Sequence, residues 1–218
     1  VKKFLLIVLF GFLAIVAAQP GLPFAMATSL SKDLAYEASS LRTKDHGLLT
    51  TLSYHVTKTM EGNPFLLPSS VVESGDPEIV RIAEDVTFGK NTNKEKSIAI
   101  YTWVTENLQY DVATYFDAIA GRPFEFKSAT EALRTRKAMC MGFSHLTAAL
   151  HRAAGIEAKV VYGADHAWNE IRIDGKWVPQ DTTRGAGYID NRYREFIHKP
   201  NLDYLFRTDE FKEGEYLW

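Results

Sequence analysis

Cys140-Met-Gly-Phe-Ser-His-Leu-Thr-Ala-Ala-Leu150, His166-Ala-Trp-Asn-Glu170 and Asp181-Thr-Thr183, in that order, decide how this chain is read. Cys140 is the only cysteine. Downstream of it Phe143, Leu146, Leu150 and Ala153 recur at helical spacing, and Gly155 supplies a C-terminal stop. Cys140 therefore falls in or just before the first turn of a helix. There the positive end of the dipole and the unpaired N–H groups favour thiolate over thiol and can hold an oxyanion. After Gly155 the period becomes strand-like: Ala158 to Tyr162, His166 to Ile173, an Asp174-Gly175 hairpin turn, and Lys176 to about Asp181. Pairing Ile173 with Lys176 across that turn carries the register to Asp181 opposite Trp168, on the same face as His166. The two backbones are then about 7–8 Å apart on the diagonal, within side-chain reach. A carboxylate there can take one ring nitrogen of His166 and leave the other for the thiol.

Each of these residues alone has a plain structural reading. A lone cysteine is usually a small buried hydrophobe, a hairpin histidine a satisfied one, and an aspartate after a strand a turn former. The joint spacing points to chemistry: Cys140 as nucleophile, His166 as base, Asp181 as its orienter.

Outward from this core, Asp76-Pro77-Glu78 announces a helix with Ile79, Ile82, Ala83 and Val86 on one face, closed by Gly89. A second helix runs from about Asn93 to Leu108, apolar on more than one side and so packed on more than one side. Residues 110–127 lack clean periodicity and read as a long loop. Ser128-Ala-Thr-Glu131 is a capping box that starts a short helix through about Arg134. Ser29 to Ser74 reads as a helix or two and a loop. Beyond Asp181 come Tyr188, Tyr193, Phe196, Tyr204, Phe206, Phe211, Tyr216 and Trp218, which are expected to cover the sheet. Asn191-Arg-Tyr-Arg194 reads as a solvated charged turn.

The first 27 residues have the form of an export signal. Lys2 and Lys3 are followed by the apolar run Phe4–Ala18, a Gln19-Pro20-Gly21 break and Ala25-Met26-Ala27, with cleavage expected after Ala27. Fifteen apolar residues interrupted by Gly11 fall short of the roughly 18–20 that span a bilayer, so a membrane role is expected only through an uncleaved signal. Valine at position 1 fits a non-AUG start read literally and points to a bacterial gene. The expected organisation is a signal peptide at 1–27, an N-terminal segment at 28–75 and a catalytic domain at 76–218, secreted or held in the cell envelope. An exported chain with one thiol cannot form an internal disulfide, so reactivity is a reason to keep it. Net charge of -2 and pI near 6.3 give nucleic acid no electrostatic foothold. His145 and His151 cannot share a helix face, and His46, His55 and His198 are scattered, so no metal is expected. No cofactor fingerprint occurs.

These three motifs, with Ile100-Tyr-Thr-Trp-Val104, Asn107-Leu-Gln-Tyr110-Asp111, Arg152-Ala-Ala-Gly-Ile156 and Asp174-Gly-Lys-Trp-Val178, resemble the transglutaminase-like superfamily of cysteine enzymes across about residues 95–185. Members often carry glycine two residues before the cysteine, where this chain has Ala138. The resemblance implies an α+β fold: a papain-like core whose nucleophile helix packs on an antiparallel β-sheet, with additional N-terminal helices. It assigns Cys140 as nucleophile, His166 as general base and acid, and Asp181 as orienting carboxylate. Tyr110 and Trp103 are the upstream residues that could complete an oxyanion site. A protein or peptide substrate, including cell-wall peptide, is implied, with attack on a peptide or glutamine carboxamide carbonyl and a thioester intermediate. Hydrolysis by a protease or amidase is favoured over amine transfer by a crosslinking transglutaminase. A non-catalytic peptide or cell-wall binding module is the third alternative.

Overall fold

A computed structural model describes residues 63–163 and 165–207, together with the backbone of 215–217. The expected signal peptide at 1–27 and most of the 28–75 segment lie outside the described residues, as do Phe211, Trp218 and the side chain of Tyr216. Among the described residues no helix is long and apolar enough to cross a membrane.

After a 3-10 turn at Pro64–Leu66, helix α1 (Pro77–Thr87) starts where Asp76 accepts from the N–H groups of Glu78 and Ile79. Helix α2 (Asn93–Asn107) opens on a full capping box between Thr92 and Glu95. It buries Ser97, Ile100, Tyr101, Val104 and Thr105. The short strand β1 (Gln109–Tyr110) and helix α3 (Val112–Ile119) follow. Helix α3 corrects the expectation of a loop over 110–127. Asp111 caps it by accepting from Thr114 N–H, yet α3 buries none of its residues, so no apolar stripe betrays it in the sequence.

The capping box of Ser128 and Glu131 starts helix α4 (Ala129–Thr135), as expected. Arg136, left-handed at φ 53°, ends it and turns the chain into strand β2 (Lys137–Ala138). β2 runs parallel to β1, with Gln109 beside Lys137 and Tyr110 beside Ala138. Helix α5 (Cys140–Ala153) begins two residues later.

Helix α5 is the axis of the fold. Every residue from Gly142 to Arg152 is buried, between α1, α2 and α4 and the sheet. Phe143, Leu146 and Leu150 are fully enclosed, each contributing about 1.5–3 kcal/mol on burial. At its end the Arg152 guanidinium donates to the carbonyls of Ala158 and Leu67, fastening the 3-10 region and the next strand to the helix. The sheet is β3 (Ala158–Tyr162), β4 (Ala167–Ile173), β5 (Lys176–Gln180) and β8 (Glu215–Leu217), antiparallel in the order β5-β4-β3-β8. Ile173 pairs with Lys176 and Asn169 with Gln180, the register the turn dictates.

Helix α6 (Thr182–Ala186) follows β5, then the hairpin β6 (Gly187–Asp190) and β7 (Glu195–His198). That hairpin pairs only within itself. Tyr188 and Tyr193 are largely exposed on it rather than covering the sheet, while Phe196 packs against the core. Residues 191–194 form its exposed turn, as the charged sequence suggests.

Ala138 is fully buried, and a Cβ added at Gly142 would stand 2.6 Å from the Ala138 Cβ. The glycine that lets the strand before Cys140 meet the helix after it is therefore Gly142. Gly142→Ala is expected to cost about 1–3 kcal/mol through overpacking, read as a lowered Tm, with Ala138→Gly in the same chain restoring most of the loss.

Candidate active site

Three elements converge here. Cys140 is the first residue of α5 and is half-buried. Met139 before it is extended and makes no side-chain cap bond, so the first-turn N–H groups of α5 are not taken up by a capping side chain. His166 lies at the mouth of the β3–β4 hairpin, where its carbonyl accepts from Gly163 N–H at 2.8 Å. The Trp168 ring lies nearly parallel to the imidazole (6.4 Å, 21°). Gly163 makes room for that indole, since a Cβ there would fall 2.7 Å from it.

Asp181 follows β5 directly and is the N-cap of α6. Its Oδ1 accepts from the N–H groups of Thr183 and Arg184 at 2.9 and 3.0 Å. Its Oδ2 accepts from His166 Nε2 at 2.6 Å. Tyr101 Oη donates to the Asp181 carbonyl at 3.4 Å, and Asp181 N–H donates to Tyr204. The carboxylate, with 0% of its side chain exposed, is fixed on every side, so its second oxygen is aimed by the cap. Because a carboxylate only accepts, Nε2 carries a proton. Nδ1 is left for Cys140, one of the two neighbours that raise the His166 titration.

Burial pushes the imidazole towards its neutral form. The hydrogen bonds to Asp181 and Cys140, with their electrostatic attraction, outweigh burial and raise His166 from 6.5 to about 9. At neutral pH the ring is an imidazolium between a sulfur and a carboxylate.

The β1–β2 pairing brings Tyr110 to the same place. Burial pushes its hydroxyl up first, and the neighbouring Cys140, Tyr115, Asp111 and Asp181 push it further. Tyr110 therefore stays a protonated donor beside the sulfur. Trp103 instead lies under the Arg136 guanidinium, 5.0 Å from its ring centre. Met139 and Gly142, on either side of Cys140 in the chain, line a small hollow with Asp111, Thr114, Phe126 and Lys127 among others. Lys127 crosses its wall to Asp111 Oδ2 at 3.0 Å and to the Lys137 carbonyl at 2.7 Å.

His145 and His151 do not enter the site. His145 bonds the Lys127 carbonyl and Tyr162 Oη, and His151 bonds Thr147, Ser97 and Gln180. Burial lowers both to about 4. Among the described residues no group of three or more His, Cys, Asp or Glu side chains is disposed to hold a metal. His166 and Asp181 meet in a hydrogen bond, and Cys140 is among the neighbours that raise the imidazole. The sequence reading missed the part of Asp181 as a helix cap, for which Asp-Thr-Thr was the available signal.

Residues 80–182 match the model of the transglutaminase-like superfamily and form a domain of that superfamily. The chain is 28% identical over 166 residues to the kyphoscoliosis peptidase of Mus musculus and over 165 residues to that of Homo sapiens. Each match covers 66% of this chain and 24% of the relative, so the chain spans about a quarter of the length of these curated relatives. Among solved structures, a candidate cysteine protease from Cytophaga hutchinsonii is 32% identical, with a TM-score of 0.44 over 56% of this chain and 41% of that one. A TGase is 20% identical, with a TM-score of 0.41 over 78% of this chain and 40% of that one.

Asp181→Asn keeps an acceptor for the α6 cap but removes the charge. The His166 titration is expected to fall from about 9 to or below its unfolded value near 6.5, followed by NMR of the imidazole Cε1 proton. In the wild type the raised value favours the fold fully below about 6.5, and that gain is lost as pH rises through about 9. In Asp181→Asn that alkaline loss should vanish.

Proposed function

We propose that this chain is an exported cysteine hydrolase that cleaves peptide or glutamine carboxamide bonds through Cys140, His166 and Asp181. The observation that carries the reading is an imidazole hydrogen-bonded to an enclosed carboxylate and raised also by half-buried Cys140 at the start of a buried helix. Membership in a family of cysteine enzymes, and a peptidase among the curated relatives, support it.

In the proposed reaction the Cys140 Sγ attacks the carbonyl carbon, and a C–S bond forms as the carbonyl π pair moves to oxygen. The first-turn N–H groups of α5 and the Tyr110 hydroxyl are the donors available to that oxyanion. His166 Nδ1–H gives its proton to the departing nitrogen as the C–N bond breaks, leaving a thioester. Water then attacks the thioester, His166 takes its proton, and the acid leaves as Cys140 is restored. Asp181 keeps Nε2–H occupied throughout, so that Nδ1 is the nitrogen that exchanges protons.

Hydrolysis is favoured over transfer because Cys140 is partly exposed, so that water has access to a thioester formed there. An acyl transferase must keep water from its thioester. Export through the 1–27 segment would place the activity on protein or cell-wall peptides outside the cytoplasm.

Incubating the chain from Thr28 with glutamine-containing peptides and a fluorescent primary amine tests the reading by mass spectrometry. Cleaved or deamidated peptide is expected to exceed amine adduct, with turnover falling by about 10³-fold or more in Cys140→Ala. Dominant amine adduct would reassign the protein as an acyltransferase. No turnover, with no Cys140 thioester trapped, would favour the peptide-binding module.

A further inference from the structure

Cys140, Ser144, Thr147 and His151 recur along α5 at i, i+4, i+7 and i+11, which places them in one stripe of the helix. The last two reach the segment that carries Asp181, and the backbone of Ser144 reaches the strand paired with it. The Ser144 carbonyl accepts from Asn169 Nδ2 at 2.9 Å, and Asn169 is the ladder partner of Gln180. Thr147 Oγ1 and Thr182 Oγ1 share a hydrogen bond at 2.8 Å. His151 Nε2 lies 3.3 Å from Gln180 Nε2 and 2.9 Å from Ser97 Oγ, and Ser97 donates to Gln180 Oε1 at 3.2 Å. Gln180 and Thr182 are the residues on either side of Asp181.

Ser97, Thr147, His151, Gln180 and Thr182 are all 2% exposed or less. Burying five polar side chains where aliphatic ones would fit adds little stability. Directional bonds, however, single out one register of strand against helix more sharply than apolar contact alone. The ring of His151 is oriented to make such bonds. Its Nδ1 donates to the Thr147 carbonyl at 2.7 Å, a group that only accepts, so the one lone pair of Nε2 accepts either from the Gln180 amide, while Ser97 donates to Gln180 Oε1, or from the Ser97 hydroxyl in place of that bond. Its burial keeps it neutral at physiological pH.

We infer that this stripe is a positioning clamp: Thr147 and His151, with Ser97, hold Gln180 and Thr182 at fixed height along the helix that starts at Cys140, and so fix the Asp181 carboxylate and the imidazole it aims. None of these residues touches substrate; they act through Asp181 and His166. The inference rests on the reading of Cys140, His166 and Asp181 as a working unit, but its consequence is visible at the imidazole itself.

The test is NMR titration of the His166 Cε1 proton in the full chain, with thermal unfolding to confirm that each variant is folded. His151→Leu removes the acceptor and leaves Ser97 and Gln180 to satisfy each other. His151→Gln returns an acceptor near the place of Nε2. Thr147→Val cuts the second link at equal size and decides the matter if His151→Leu does not fold. The clamp predicts a fall of about one pH unit or more in the His166 titration in His151→Leu and Thr147→Val, with recovery of most of it in His151→Gln. Alkylation of Cys140 at pH 6 should slow in parallel, by about tenfold. Folded variants in which His166 titrates as in the wild type would overturn the clamp. Because the imidazole is read directly, that result stands apart from a failure of peptide hydrolysis, which would overturn only the function proposed above.

Discussion

The structure depends on one helix being buried along almost its whole length. A helix enclosed from Gly142 to Arg152 cannot tilt or slide without opening apolar surface. Its N-terminus is thereby a fixed point, and Cys140 stands on it. What remains to be placed is the partner of the sulfur, and the sheet that packs on the helix does that. His166 leaves the sheet at the mouth of one hairpin, Asp181 at the end of the next strand, and the ladder holds them in register.

The electrostatics follow from this placement. A carboxylate withdrawn from water is costly unless every lone pair is used. Asp181 uses its own on two backbone N–H groups and one imidazole. The cap that starts α6 and the bond that charges His166 are made by the same side chain, so folding and chemistry are coupled at that residue. Tyr110 is brought in by a separate device, the two-residue parallel pairing of β1 with β2. Gly142 permits that strand to pass over the helix.

Much of this was legible in the sequence, and the reasons are specific. The Asp174-Gly175 turn fixes hairpin register by itself, and capping boxes and Asp-Pro-Glu announce helices through local bonds. Local signals failed where an element has no enclosed face. Helix α3 buries none of its residues and so reads as loop, and Tyr188 and Tyr193, expected to cover the sheet, stand exposed on the β6–β7 hairpin, which pairs only within itself. The polar stripe of α5 was hidden for the opposite reason. Ser144, Thr147 and His151 look like ordinary interruptions of an apolar pattern until their partners at 97, 169, 180 and 182 are known, and those partners lie far away in the chain.

The central claim is that His166, held between Asp181 and Cys140, makes that sulfur a nucleophile at neutral and mildly acidic pH. The most direct measurement is the rate of Cys140 alkylation against pH, in the wild type and in His166→Ala. The account predicts alkylation that is faster in the wild type and falls by about tenfold or more at pH 6 without His166. Slow alkylation, with the same pH profile in both proteins, would contradict it and leave Cys140 as a structural thiol.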